Sequence, residues 1–142
     1  MIEIRPAADA DVPELARLMT ELGYPTSPEE MTVRLKAIEW HGAMACLIAL
    51  LDGSIAGMIG LAVTPSFARN PPHGEVAALV VSEGSRGHGV GRALIARGEA
   101  WLAQRGVVRA TVNSGTHRDG AHAFYRACGY ETNGFRFVRE LL

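Results

Sequence analysis

Apolar and polar residues alternate over residues 1–5, as they do in a short half-buried strand. From Val12 the spacing turns helical. Val12, Leu15, Ala16, Leu18, Met19 and Leu22 recur three and four residues apart, Asp9 or Asp11 can cap the start, and Gly23 ends the run. Ser27-Pro28-Glu29-Glu30 is a capping box with proline at the first helical position, and Met31, Leu35, Ile38 and Trp40 supply the apolar side of a second helix. Two continuous apolar runs, 43–51 and 54–63, flank Asp52-Gly53, a strong hairpin signal. Strands this apolar need helices above and below them.

Residues 74–81 form the next predicted strand. A helix over about 89–105 follows, with Val90, Leu94, Ile95, Gly98, Trp101 and Leu102 inward and Gly106 closing it. Residues 107–112 predict another strand, parallel to 74–81 because a crossover helix joins them. Residues 118–128 predict a helix, with Thr116 or Asp119 near its start and Gly129 ending it. Asn133-Gly134 predicts an antiparallel hairpin over 130–141. The order is β-α-α-β-β-β-α-β-α-β-β: an α/β chain with a central mixed sheet flanked by helices.

Composition narrows the function. A chain of 142 residues, 48% hydrophobic, suits one domain over 1–142 with a single core. A net charge of −1 argues against a nucleic-acid binder. No apolar run is long enough to span a membrane and the first residues do not read as a signal peptide, so the expectation is a soluble cytoplasmic protein. Cys46 and Cys128 lie in apolar segments without a neighbouring ligand pair and read as free thiols rather than a zinc site.

The chemistry concentrates where the strand over 74–81 meets the next helix. Gly87, Gly89 and Gly91 fall in a short loop before an apolar-periodic helix, whose first amides have no intrahelical partner and suit a phosphate or pyrophosphate. A nucleoside-triphosphate loop needs Lys-Ser/Thr after its last glycine, but Arg92-Ala93 stands there. A dinucleotide fingerprint fails too: its third glycine falls on Arg92, and the following strand ends in Asn113 rather than an acid. What remains is R-x-x-G-x-G from Arg86 through Gly89 to Gly91, preceded by Leu79-Val80-Val81. This resembles the acetyl-CoA pyrophosphate loop of the GNAT superfamily of N-acetyltransferases. The segment Ala121-His122-Ala123-Phe124-Tyr125, continuing to Gly129-Tyr130, resembles that family's second motif, A-x-x-F-Y-x-x-x-G-F/Y. With the element order, the resemblance spans essentially the whole chain.

The resemblance implies an acetyl-CoA-dependent N-acetyltransferase. The backbone of Leu79, Val80 and Val81 would meet the acetyl carbonyl and pantetheine. Amides from Arg86, Gly87, His88, Gly89, Val90, Gly91 and Arg92 would take the pyrophosphate, with the Arg86 side chain adding a charge-assisted contact. Asn113, Ala121 and Phe124 would line the CoA arm. Tyr125 would face the thioester sulfur as general acid, a phenol being protonated at neutral pH; its spacing from Ala121 equally suits a core-facing aromatic. Glu75 is the candidate base, directly or through water, or else a solvated strand-end carboxylate. Period-two alternation puts it on the side of Ala77 and Leu79. His73, His88, His117 and His122 carry weaker signals.

The first two helices would shape the acceptor side. Further segments, Gly57-Met58-Ile59-Gly60-Leu61, Gly74-Glu75 and Phe135-Arg136-Phe137, are similar to a GNAT subgroup that includes aminoalkylphosphonate acetyltransferases, which act on small amines bearing an anionic group, some with a divalent metal. No metal ligand is identified in this chain. The acceptor is expected to be a small-molecule primary amine, with neither nucleic acid nor membrane as partner, and family likeness suggests a homodimer. Two other readings fit: a protein lysine or N-terminal acetyltransferase, and a non-catalytic CoA-binding sensor.

Overall fold

Side chains alternate across the central strands, and both faces are apolar, so the sheet is buried on both sides. The computed structural model describes residues 1–113 and 119–142. Its strands are β1 (Ile2–Pro6), β2 (Met44–Leu51), β3 (Ser54–Thr64), β4 (His73–Val81) and β5 (Ala110–Val112), and its helices α1 (Val12–Leu22), α2 (Pro28–His41), α3 (Val90–Gln104) and α4 (Asp119–Ala127). The strands lie in the order β1-β2-β3-β4-β5, antiparallel except for the parallel pair β4–β5. Leu47 and Ala49 of β2 join Ile59, Leu61, Leu94, Ile95 and Leu102 under α3. Cys46 and Ile48, one residue out of phase, join Leu15, Leu18, Met31 and Leu35 under α1 and α2.

Local chemistry sets the element ends. Asp52 and Gly53 turn the β2–β3 hairpin with φ of 51° and 87°, the left-handed pair of a tight hairpin turn. The Ser27 hydroxyl accepts from the Glu30 amide at 3.1 Å and the Glu30 carboxylate accepts from the Ser27 amide at 2.9 Å, closing the expected capping box. Gly98 lets α3 lie on the sheet, since a Cβ there would stand 2.9 Å from Ile59.

Four expectations are corrected. Asp11 precedes α1, but its carboxylate does not cap that helix; it takes a two-pronged contact from Arg5, at 2.8 and 3.0 Å, and the Ala8 amide at 2.7 Å. Trp40 lies on the solvent side of α2, 91% exposed. The strand expected over 107–112 is shortened to Ala110–Val112, because Val107 turns into the core against Gly74 and Leu102 instead of joining the ladder. Residues 130–142 form no strand, and Phe135, Phe137, Val138 and Leu141 are exposed. A favoured turn sets register, but a two-stranded hairpin needs a third strand or a packed face to hold it. Thr116, His117 and Arg118 lie outside the described residues.

Candidate active site

β5 runs beside β4 only from Gly74 to Val76, opposite Ala110 to Val112. Beyond that point β4 continues to Val81 with β3 on one side and, among the described residues, no strand on the other. The Ser82 amide donates inward to the Ala56 carbonyl at 2.7 Å. Backbone groups alternate between the two edges of a strand, so the N–H and C=O of Val81 and Leu79 face the open edge. Val80, one residue out of phase, packs under α1 and α2 at 5% exposure.

The open edge leads into the glycine loop. Gly87 and Gly89 have φ of 84° and 83°, a conformation that disfavours side-chain-bearing residues, and Gly89 is the N-cap of α3. Among the described residues, the amides of Gly87, His88, Gly89, Val90, Gly91 and Arg92 donate to no protein acceptor; the first internal bond runs from Ala93 to the Gly89 carbonyl at 3.1 Å. They form a run of free donors at the positive end of a fifteen-residue helix. Val90 is 1% exposed, so its own contribution is the amide alone. His88 is exposed and its Nδ1 lies 3.2 and 3.1 Å from the Ser85 and Arg86 carbonyls, bracing the turn. Arg86 is exposed and its Nε donates weakly to the Val81 carbonyl at 3.4 Å, while Arg92 extends from the first turn into solvent.

Gly91 does something else. Its φ is not positive, and a Cβ there would stand 3.0 Å from the Phe124 ring. The third glycine thus seats α4 on the start of α3. Tyr125, next along α4, is half-buried with its ring edge-on to Phe124 and Tyr130, at 5.5 and 6.1 Å between centroids. It shares a groove of about 1220 Å³ with Val112, Asn113 and His122. Ala121 is half-buried one turn earlier. Tyr130 is committed elsewhere: its hydroxyl donates to Glu99 at 2.8 Å, and burial together with that carboxylate pushes its pKa upward.

Glu75 lies on the other face from the one alternation predicts. The β3–β4 register shifts between Gly60 and Leu61, leaving Ala77 as an extra residue in β4. A bulge of this kind inverts the phase. Val76 and Leu79 therefore both face α3, and Glu75 shares a face with Ala78 and Val80 on the α1–α2 side. It is half-buried and its Oε2 accepts from the Asn113 side-chain amide at 3.2 Å. His73 precedes it on the same face and shares a 3.0 Å hydrogen bond with Thr111. The structure thus brings Glu75 and Asn113 together, where the sequence placed one at the acceptor and the other on the CoA arm.

A further set was invisible in the sequence. Arg17 of α1 binds Glu14 at 2.7 Å and also Glu21, and reaches the Ser82 hydroxyl at 3.3 Å; Glu21 accepts from the Glu83 amide at 3.0 Å. The i, i+3 and i+4 spacing of these charges is legible, but their tie to the loop 62 residues further on is not. Among the described residues, no three His, Cys, Asp or Glu side chains group to hold a metal ion.

A strand edge thus lies beside a helix N-terminus of free amides. The Acetyltransferase (GNAT) family model matches residues 12–130. The chain belongs to the GNAT acetyltransferase family. Aminoalkylphosphonate N-acetyltransferase of Salmonella typhimurium is 33% identical over 94 residues, 66% of this chain and 61% of that protein, so the match spans under two thirds of the relative's length. Aminoglycoside N(6')-acetyltransferase type 1 of Stenotrophomonas maltophilia is 31% identical over 134 residues, 90% of this chain and 85% of that protein. The crystal structure of a GNAT family acetyltransferase from Staphylococcus aureus superposes with a TM-score of 0.83 at 26% identity, covering 99% of this chain and 98% of that one. Two of these relatives are named as N-acetyltransferases, of aminoalkylphosphonates and of aminoglycosides, and the mixed sheet with its flanking helices is the GNAT fold.

Proposed function

We propose that the protein transfers an acetyl group from acetyl-CoA to the primary amine of a small molecule by direct attack on the thioester. The observation that carries this reading is the open edge of β4 beyond Val76, continuous with the unpaired amides of Gly87 to Arg92. Acetyl-CoA supplies the acetyl group as a thioester. The loop amides hold its diphosphate, with Arg86 and Arg92 adding charge at the rim. The outward N–H groups of Leu79 and Val81 hold the chain leading to the thioester and stabilise charge growing on the carbonyl oxygen.

Chemistry then needs one proton removed and one delivered. The amine nitrogen bonds to the carbonyl carbon, the carbon–sulfur bond breaks, and the ammonium proton passes to Glu75, directly or through water. Tyr125 returns a proton to the departing sulfur. Glu75 and Tyr125 come from different elements, β4 and α4, and each has Asn113 as a neighbour: Glu75 through its hydrogen bond, Tyr125 in the groove the two residues line. Tyr125→Phe is expected to lower turnover about 10²-fold with acetyl-CoA affinity unchanged, measured by thiol release and by direct titration. An unchanged rate would remove Tyr125 from the mechanism. Glu75→Gln should lower the rate; an unchanged rate would mean that solvent takes the proton.

A further inference from the structure

Side chains of β4 and β5 pair diagonally across their parallel seam. Glu75 stands opposite Thr111 in the register, yet its Oε2 takes its hydrogen bond from the Asn113 side chain, one rung further on, at 3.2 Å. His73 repeats the step with Thr111 at 3.0 Å, again 38 positions along the chain. The repeat makes this pairing a property of the seam rather than of one side chain's placement. Val112 packs toward α3, so Asn113 beside it faces the other way, as Glu75 does. The backbone ladder ends at Val76 and Val112. Asn113 follows at once, and its side chain is the last link between the two strands before they part. It also lines the groove that holds Tyr125, and among the described residues its side chain makes no other hydrogen bond.

We propose that Asn113 is a positioning residue for acetyl transfer: it holds one oxygen of the Glu75 carboxylate and so presents the other to the ammonium of the acceptor. The inference rests on the reading of Glu75 as the base. A carboxylate at the end of a glutamate side chain turns readily about its last bond, and a base serves only within hydrogen-bond reach of the proton it takes. A hydrogen bond to Oε2 removes that freedom and leaves Oε1 for the proton. The residue type follows from the same geometry. Asparagine presents N–H donors and no charge, aspartate of the same shape would bring only acceptors and a like charge, and alanine would bring nothing. The family resemblance gives position 113 to the CoA arm, whereas this hydrogen bond gives it to the base. The two roles differ in what they change: donor affinity in one case, turnover in the other.

The test compares the wild type with Asn113→Ala, Asn113→Asp, Glu75→Gln and the double variant, using the best acceptor from a panel of small amines. Asn113→Ala should lower kcat roughly tenfold, as loss of one hydrogen bond to a charged group does, with the acetyl-CoA KM unchanged. Asn113→Asp should lower it at least as much. Added to Glu75→Gln, Asn113→Ala should lower the rate no further, since a residue that acts through the base has no effect once the base is gone. A raised acetyl-CoA KM with kcat intact would put Asn113 on the CoA arm and overturn the proposal. Full activity in Asn113→Asp, or losses that multiply in the double variant, would do the same. An unaltered kcat in Glu75→Gln, or no acetylation of any amine, would remove the base and the proposal with it, whereas a slow Glu75→Gln beside a normal Asn113→Ala refutes the positioning role alone. A readout free of turnover is the Asn113 side-chain amide signal in nitrogen NMR spectra, which should move in Glu75→Ala. An unmoved signal would mean that the two side chains do not pair, and would overturn the proposal.

Discussion

Gly91 shows how one motif can hold two kinds of glycine. Gly87 and Gly89 carry positive φ and shape the loop before α3, whereas Gly91 clears space for the Phe124 ring. Gly91→Ala should therefore cost about 1–2 kcal/mol by overpacking, and adding Phe124→Leu should restore most of it, read by denaturant unfolding. If the second change restores nothing, the glycine serves the loop itself. Asp11, 5% exposed, gives a pH-dependent counterpart. Its hydrogen bonds from Arg5 and from the Ala8 amide outweigh burial and hold its pKa below the ordinary carboxylate value. The carboxylate thus contributes its full stability above about pH 4, its unfolded value, and loses it as pH falls through the lower folded value. Asp11→Ala is expected to cost about 2 kcal/mol at pH 7, a penalty that shrinks toward pH 2 in urea titrations. A pH-independent difference would assign the effect to packing. At Cys46 burial dominates instead, and the thiol is pushed up to about 12, which disfavours the thiolate.

At the scale of elements, the hairpin, the helices and the glycine turn were legible because each rests on neighbouring residues: Asp52-Gly53, the Ser27 box, the three- and four-residue spacing. What escaped depends on partners distant in sequence. The bulge at Ala77 lies in an unbroken apolar run that carries no mark of an extra residue, yet it moves Glu75 to the other face of the sheet. Asn133-Gly134 is a favoured turn sequence, yet the chain there forms neither turn nor strand. The candidate site was legible in its glycine loop and in Tyr125, and not in the pairing of Glu75 with Asn113, which meet only in the folded chain. α1 belongs with these. Through Glu21 and Arg17 it fixes Ser82 and Glu83, where β4 enters the anion loop. Glu21→Ala is expected to weaken acetyl-CoA binding roughly fivefold, about one hydrogen bond, with the thermal midpoint little altered. Unchanged affinity would make α1 a cover helix only.

For the molecule as a whole, the sheet divides the work. On the proposed reading the donor lies along the edge of β4 beyond Val76, toward α3 and α4, and the acceptor against the opposite face, which carries His73, Glu75 and Thr111. On that reading the two substrates would approach from opposite sides and meet where β4 and β5 part, and the reaction would depend on positioning before any acid or base acts. Among the described residues no helix is long and apolar enough to cross a membrane.

The most direct measurement is incubation of the purified protein with acetyl-CoA and a panel of small amines, following free thiol and the mass of the amine product together. Thiol release matched mole for mole by an acetylated amine is the predicted result. Tight acetyl-CoA binding with neither thiol nor product across the panel would contradict catalysis and leave a CoA-binding module in its place.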